Sequence, residues 1–332
     1  MAAAKLIVVV GATGNQGSSV AKTFAADPAW RVRGLTRDTS SSKAQALKDI
    51  GVEVVQADVD DLSSLVKAFK GANAIFTVSD FWGTFYNPAT DAKIPPGVAK
   101  NKWVYDYEVQ QLKNMIDAAA KTEGLERLVY SSLSDGNRWS KGKYPNVLHF
   151  DSKAHASYYG AEKYPELWKK TSLLQVGWYL PNLTGNPLLQ PKKNASGFAQ
   201  FIMNLKKDLY LPIIAPEEDT GPFTKALVAE KPGKNLIAYR QWMTMKEFAD
   251  LFTRVIGRPA EYVELPAGLS VIPIPEELKD ELNDNWAYWN EFGYEGRDDP
   301  TVIHPKDLET PVKLDTVENW VKKQDWSKIL DA

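Results

Sequence analysis

The first half of the chain alternates short apolar runs with segments whose apolar residues recur every three or four positions. This pattern is typical of strands and helices in turn. Leu6–Val10 is a continuous, mostly β-branched run, as expected of a strand buried on both faces of a sheet. Further strands are predicted at Arg31–Leu35, Val52–Gln56, Ala74–Val78, Leu128–Ser131 and Leu173–Gly177. Strands that alternate with helices through short links imply right-handed crossover connections. The pattern therefore predicts an α/β fold with a doubly wound, parallel Rossmann sheet.

The second half has shorter elements. Those predicted are a short helix at Phe198–Leu205, strands at Leu236–Tyr239 and Tyr262–Leu265, a helix from the capping box Thr244–Glu247 to Gly257, and a helix at Asp280–Asn290. We therefore predict a Rossmann domain over residues 1–177 and a smaller α/β lobe over 178–332. A segment near 234–257 is expected to return to the first sheet.

The connection after the fourth predicted strand is unusually long. Asn87–Asn101 contains Pro88, Pro95, Pro96 and Gly97 and exceeds an ordinary link between a strand and a helix. We interpret it as a functional loop or lid.

Composition excludes several kinds of chemistry. The chain has no cysteine, so it has no disulfide, thiol nucleophile or cysteinyl metal site. Its three histidines, His149, His155 and His304, are far apart, which argues against a histidine metal site. The net charge of -2 argues against nucleic-acid binding. No apolar run approaches about 18 residues and no signal peptide is predicted, so we expect a cytoplasmic protein, with the nucleus as an alternative location.

A glycine-rich turn joins the first strand to the first helix. Gly11–Gly17 reads GATGNQG, and its position between a buried strand and a helix is the context that a dinucleotide-binding fingerprint requires. The glycines permit a tight turn, a close approach to a pyrophosphate and close packing of helix on strand. The free N–H groups at the helix start favour a phosphate. The predicted cofactor contacts of this turn are Gly11, Thr13, Gly14, Asn15, Gln16 and Gly17.

The end of the second strand indicates which dinucleotide is bound. Arg37 lies 20 residues after Gly17, where NAD-preferring sites carry an acidic residue. A guanidinium there suits a 2′-phosphate, with Arg33 and Thr36 as possible assistants. The alternative is a surface arginine paired with Asp38. We predict NADP(H) as the cofactor, with NAD bound less tightly.

Two further cofactor contacts are predicted at strand ends. Asp58, just after the third strand, is placed to accept a hydrogen bond from the adenine amino group; the alternative is an ordinary loop aspartate. Thr77, near the end of the fourth strand, is the other predicted contact.

These motifs, taken in order along nearly the whole chain, resemble the NmrA-like family, a branch of the atypical short-chain dehydrogenase/reductases. They are Gly11–Gly17, Thr36–Asp38, Phe76–Trp82, Glu108–Gln111, Tyr130–Leu133 and His149–Lys153. The resemblance implies a Rossmann domain that binds NAD(P), an Arg37 that recognises NADP and a Lys153 that approaches the nicotinamide ribose. Some family members are redox-responsive regulators that bind partner proteins, and other relatives are NADPH-dependent reductases. The Phe85–Lys102 insertion departs from the family and is expected to cover the substrate side.

The catalytic residues have two alternative arrangements. Short-chain reductases need a proton donor for the substrate oxygen and a serine that holds this oxygen, here Ser131 or a neighbour. In the first arrangement His149 stands where the family tyrosine would be, and Lys153 or protonated His149 donates the proton. In the second, Tyr159 and Lys163 form a Y-x-x-x-K pair.

Aromatic residues indicate the nature of the substrate. Those that follow the fourth and sixth strands would wall a flat apolar pocket, or else fill the core between the lobes: Phe81, Trp82, Phe85, Tyr86, Trp178 and Tyr179. The tryptophans of the last segment are expected to pack in the core or form an interaction surface: Trp286, Trp289, Trp320 and Trp326.

Two functions follow as hypotheses. The first is an NADPH-dependent reductase of a small, aromatic carbonyl or enone compound. The second is a non-enzymatic, NADP-sensing regulator that binds a partner protein. The missing tyrosine favours the second, while the intact glycine turn and Lys153 favour the first. Neither involves nucleic acid or a membrane, and the protein is expected to be a monomer or a dimer.

Overall fold

The main sheet occupies the first half of the chain and is extended by two late strands. The structure, a computed structural model, describes residues 4–331. The elements up to the sixth strand are β1 (Lys5–Val9), α1 (Asn15–Ala25), β2 (Trp30–Thr36), α2 (Ser42–Asp49), β3 (Glu53–Gln56), α3 (Leu62–Phe69), β4 (Ala74–Thr77), α4 (Phe81–Phe85), α5 (Pro88–Asp91), α6 (Lys100–Ala120), β5 (Arg127–Ser132), α7 (Gly136–Trp139), α8 (Leu148–Lys163), α9 (Pro165–Trp168) and β6 (Thr171–Val176).

The remaining elements build a second lobe and return twice to the main sheet. They are β7 (Trp178–Tyr179), α10 (Asn182–Gly185), β8 (Lys192–Lys193), β9 (Ala199–Met203), β10 (Tyr210–Ile214), α11 (Pro216–Ala229), β11 (Asn235–Ala238), β12 (Gln241–Thr244), α12 (Met245–Ile256), β13 (Ala260–Glu264), α13 (Glu276–Phe292), β14 (Val302–Ile303), a 3-10 turn (Pro305–Asp307), α14 (Val317–Lys323) and α15 (Ser327–Leu330).

The main sheet is parallel throughout and has the order β14-β11-β6-β5-β4-β1-β2-β3. Leu6 and Val8 of β1 face one apolar core, formed with α3 and α6, while Ile7 and Val9 face another, formed with α1 and α11. This burial on both faces explains the unbroken apolar run of β1 and confirms the doubly wound sheet. The direction of strand addition reverses beside β1, which is where ligands bind in such sheets.

The second lobe contains two three-stranded sheets, β12-β10-β7 and β13-β9-β8. The prediction of a helix at Phe198–Leu205 is wrong, because this segment forms β9, paired in parallel with β13. Ala199, Phe201 and Met203 are buried and the residues between them are less so, which is the two-residue period of a strand. The capping box at Thr244 and the left-handed Gly257 that ends α12 are confirmed.

Only part of the segment near 234–257 joins the main sheet. β11 pairs in parallel with β6, whereas β12 pairs antiparallel with β10 in the second lobe. The edge strand β14 was not predicted, and it extends the sheet beyond β11. Within residues 4–331, no helix combines the length and apolarity needed to cross a membrane.

Candidate functional site

The glycine turn after β1 is shaped by steric limits. Gly11 adopts a positive φ of 62°, which favours glycine. A Cβ on Gly17 would lie 2.2 Å from the Gly11 carbonyl oxygen, and one on Gly14 would lie 3.3 Å from it. α1 begins at Asn15 without a side-chain cap, so its first N–H groups remain for a ligand. The turn therefore fits the phosphate-binding role predicted for it.

A cavity of about 750 Å³ extends from this turn along the carboxyl ends of β1 to β4. Its wall includes the six residues predicted from the turn, together with Arg37 and Asp58. Thr77 lies outside this wall and is buried, with an unpartnered hydroxyl within the described residues. Val78 and Ser79, just after the strand, take its place at the cavity. The predicted contact at Thr77 is therefore misplaced.

Cationic side chains line the end of this cavity beside β2. Arg37 is exposed there together with Lys43. Asp38 does not pair with Arg37, because its carboxylate accepts from the N–H and hydroxyl of Ser40, at 2.8 and 2.5 Å. The surface ion pair considered as the alternative for Arg37 is not formed among residues 4–331, and Arg37 lines the cavity.

Arg33 does not assist at this site, which corrects the prediction. Its Nε lies 3.0 Å from Glu53, and its Nη1 donates to the carbonyl oxygens of Ala68 and Lys70. Thr36 does line the cavity, where its hydroxyl meets that of Thr13.

The insertion, which was expected to cover the substrate side, contributes mainly to the wall of the first cavity. Asn87, Thr90 and Lys93 line the first cavity, as do Trp103 and Tyr107 at the start of α6, whose rings stack 4.8 Å apart. The Tyr107 hydroxyl and Gln111 bind Asp60, which fastens α6 to the loop after β3. Tyr86 is the insertion residue that faces the second cavity.

A second cavity, of about 680 Å³, lies between the two lobes. Its walls are mainly aromatic and aliphatic, and they include Trp82, Phe150, Trp178, Trp286, Trp289 and Tyr294. Trp286 and Trp289 pack in the core of the second lobe, as expected, and they also line this cavity. Trp320 and Trp326 do pack in the core of the second lobe. Phe85 is buried beside Phe81 and does not line the cavity.

The two cavities meet at Gln16, Ser79, Asp80 and Tyr179, which line both. The Ser131 hydroxyl donates to Gln16 Oε1 at 2.8 Å, and Gln16 Nε2 donates to the Tyr179 hydroxyl at 2.7 Å. Burial raises the pKa of Tyr179 to about 12, so its phenol stays protonated near neutral pH. Ser79 Oγ is buried and has no partner among residues 4–331. The junction thus holds polar groups that a bound nicotinamide nucleotide would meet.

Lys153 lines the second cavity, but its ammonium already has partners. Nζ lies 3.0 Å from each carboxylate oxygen of Glu108 and 2.9 Å from the His149 carbonyl oxygen. These three acceptors match the three N–H groups of the ammonium. Ser152 also donates to Glu108. Lys153 therefore fastens α8 to α6, and it is less available as a proton donor than the sequence suggests.

His149 also lines the second cavity, and its Nδ1 lies 2.8 Å from Oε1 of Glu281 on α13. Sequence analysis missed Glu281, which is 132 residues away along the chain and belongs to no motif. Within the described residues, no group of three or more metal-ligating side chains is arranged to hold a metal ion.

The second catalytic arrangement lies away from both cavities. The Tyr159 hydroxyl donates to Asp117 at 2.6 Å and accepts from Lys163 at 2.5 Å. Tyr159 follows Lys153 by six residues, which turns it roughly 120° around the helix axis. The structure therefore does not bring Tyr159 together with Ser131, Lys153 and His149.

Comparisons with known proteins agree with this architecture. The sequence model of the NmrA-like family matches residues 3–330. The chain is 28% identical over 283 residues to the NmrA-like family domain-containing oxidoreductase malD of Malbranchea aurantiaca, covering 80% of this chain and 77% of that protein. It is 27% identical over 273 residues to the NmrA-like family domain-containing oxidoreductase cpsB of Aspergillus campestris. This match covers 78% of this chain and 75% of that protein.

Two solved structures share the fold. The negative transcriptional regulator Nmra in complex with NADP superposes with a TM-score of 0.74 at 19% identity, covering 98% of this chain and 97% of that chain. The NADPH-dependent quinone oxidoreductase of Escherichia coli in complex with NADPH superposes with a TM-score of 0.65 at 22% identity. The match covers 95% of this chain and 98% of that chain.

Proposed function

This chain belongs to the NmrA-like family, and we propose that it is an oxidoreductase that uses NADPH to reduce a flat, largely apolar carbonyl or enone compound. The observation that carries the proposal is the meeting of the two cavities at Gln16, Ser79, Asp80 and Tyr179. The junction lies at the carboxyl ends of the strands, beside the reversal of strand order. When bound, the reduced nicotinamide supplies a hydride. The chain binds the phosphates, places the acceptor and excludes water.

The shape and lining of the second cavity support the choice of substrate. Trp82 and Trp178 lie near the junction, and Trp286 and Trp289 close the side formed by α13. Aromatic walls favour planar apolar compounds through stacking and burial. The names of the curated relatives and of the Escherichia coli neighbour fit a reductase, and quinones are therefore the first acceptors to test.

We expect Arg37→Ala to weaken NADP(H) binding roughly 10- to 100-fold, because a charge-assisted contact with the 2′-phosphate is lost. Binding of NAD should change less than about threefold. Calorimetric titration with both dinucleotides measures the difference. Arg31→Ala is the matched control, since Arg31 is an exposed arginine of β2, the strand that precedes Arg37, and lies outside the cavity. Equal weakening of both dinucleotides by Arg37→Ala would contradict the assignment.

The proposed activity is tested by NADPH oxidation with a panel of quinones, enones and aromatic aldehydes. We expect turnover with at least one class, at roughly 1–10 per second for a good acceptor. Trp82→Leu should raise KM roughly 3- to 10-fold through the lost aromatic contact. Tyr159→Phe should leave the rate within about twofold, because Tyr159 lies away from both cavities.

One contact favours the alternative, a non-enzymatic NADP-sensing regulator that binds a partner protein. The ammonium of Lys153 is held by Glu108, and the family resemblance places His149 where short-chain reductases carry a tyrosine. NADPH binding without turnover of any acceptor class would overturn the reductase proposal and support the regulator.

A further inference from the structure

We propose that Glu281 is a positioning residue for His149, and that the pair delivers a proton through His149 Nε2 to the substrate in the second cavity. The inference rests on the proposed reductase function. The His149–Glu281 pair joins α8 of the first lobe to α13 of the second lobe.

The contact between the two side chains is close and buried. His149 Nδ1 lies 2.8 Å from Glu281 Oε1, and the backbone N–H of His149 donates to the same oxygen at 3.0 Å. Glu281 is fully buried. Among residues 4–331, His149 supplies the only side-chain donor that reaches this carboxylate. A buried carboxylate is costly without a partner, so this pairing constrains the imidazole strongly.

The pairing determines which ring nitrogen is available for chemistry. An ionised carboxylate only accepts hydrogen bonds, so Nδ1 carries the hydrogen that faces Glu281. Nε2 then lies on the far side of the ring and makes no hydrogen bond within the described part of the chain, while His149 lines the second cavity. Trp82 and Phe150 lie against the ring, with centroids 4.9 and 4.8 Å away, and restrict its rotation.

The proton balance of a carbonyl reduction fits this arrangement. The carbonyl carbon gains a hydride, forming a C–H bond while NADPH is oxidised to NADP⁺. The π electrons of the C=O bond move to oxygen, which takes the proton from Nε2 of protonated His149 to form an O–H bond. His149 becomes neutral and keeps its Nδ1–H bond to Glu281, and then takes a new proton from solvent. Glu281 keeps its charge throughout and holds the tautomer.

The competing explanation is purely structural. Glu281 also binds a backbone N–H in the first turn of α8, where an acidic group stabilises a helix. Asp284, three residues later on α13, makes a similar link by accepting from the backbone and side-chain nitrogens of Asn146, at 3.0 and 2.9 Å. Asp284→Asn is therefore the matched control, because it removes the charge of a neighbouring α13 carboxylate that lines neither cavity.

The first test measures the tautomer and needs no turnover. The chain has only three histidines, so side-chain ¹⁵N NMR resolves them, and His149→Phe assigns the relevant signals. We expect neutral His149 to carry its proton on Nδ1 in the wild type and in Asp284→Asn. Glu281→Leu, which removes every acceptor oxygen, should lose this preference. A proton on Nε2 in the wild type, or an unchanged tautomer in Glu281→Leu, would overturn the proposal.

The second test measures kinetics with the holoprotein. Glu281→Gln should lower kcat roughly 10- to 100-fold and alter the pH profile, while KM and the NADPH Kd stay within about threefold. For Asp284→Asn, kcat, KM and the NADPH Kd should each stay within about twofold of the wild-type value. Equal effects of the two substitutions would overturn the proposal. If Glu281→Gln does not fold, Glu281→Asp, which retracts the carboxylate by one methylene, should give a smaller loss of kcat and a partial loss of the tautomer preference.

The two proposals can fail separately. If the wild type turns over no acceptor, the reductase proposal fails, and the NMR measurement still decides whether Glu281 sets the tautomer of His149. If turnover occurs and the tautomer is independent of Glu281, the reductase proposal stands and the positioning role is rejected.

Discussion

Gly17→Ala is expected to weaken NADP(H) binding by at least about 100-fold and to destabilise the fold by roughly 1–3 kcal/mol. The new Cβ would lie 2.2 Å from the Gly11 carbonyl oxygen and 3.0 Å from the Cα of Ala12. Both neighbours are main chain, so α1 must move away from the turn that is proposed to bind the phosphates. Fluorescence titration with NADPH and thermal unfolding measure the two effects.

Two substitutions in the same region provide the comparison. Ser18→Ala adds no atom and removes only a hydrogen bond to the Asn15 carbonyl, so we expect binding within about twofold of the wild type. Gly14→Ala should be intermediate, because its Cβ would lie 3.3 Å from the Gly11 oxygen. Wild-type affinity in Gly17→Ala would show that the cofactor does not depend on this turn.

Lys153→Met is expected to lower the free energy of unfolding by about 3–5 kcal/mol, because Glu108 would remain buried without its cation. Glu108 is only 1% exposed, and its two oxygens each lie 3.0 Å from Lys153 Nζ. The double variant Glu108→Gln/Lys153→Met should recover part of this loss, since no charge is then left unpaired. Urea denaturation of the single and double variants measures the coupling.

Lys163→Met is the control for this experiment. Lys163 forms a more exposed pair with Asp117, 3.4 Å away, so Lys163→Met should leave the midpoint of urea denaturation close to that of the wild type. A loss of activity in Lys153→Met with a change in stability below about 1 kcal/mol would contradict a structural role for Lys153. It would return this lysine to the cofactor role that the family resemblance implies.

Local pattern was sufficient for the main sheet apart from β14, and for the glycine turn after β1. The β-branched run of β1 and the glycine spacing after it depend on neighbours a few residues away, and so they are visible in the sequence. The capping box of α12 is equally local. The error at β9 arose because a short apolar segment suits either a helix or a strand, and pairing with β13, some 60 residues later, decides between them.

The substrate side of the site depends on distant contacts that no motif records. His149 was a candidate from the sequence, but the approach of Glu281 depends on how α13 docks against α8. The same docking turns Trp286 and Trp289 toward the cavity. Similarly, the length of the insertion was evident, whereas its position beside the first cavity followed from the path of α6. Such features depend on tertiary packing, and residue type alone does not reveal them.

The position of α13 has an evolutionary consequence. This helix supplies Glu281 and several walls of the second cavity, including Trp286 and Trp289, but no wall of the first cavity. Under the proposed function, mutations on its inner face are therefore expected to alter the compound that is accepted without altering dinucleotide affinity. Substrate preference can then change within residues 276–292 while the lining of the first cavity stays the same.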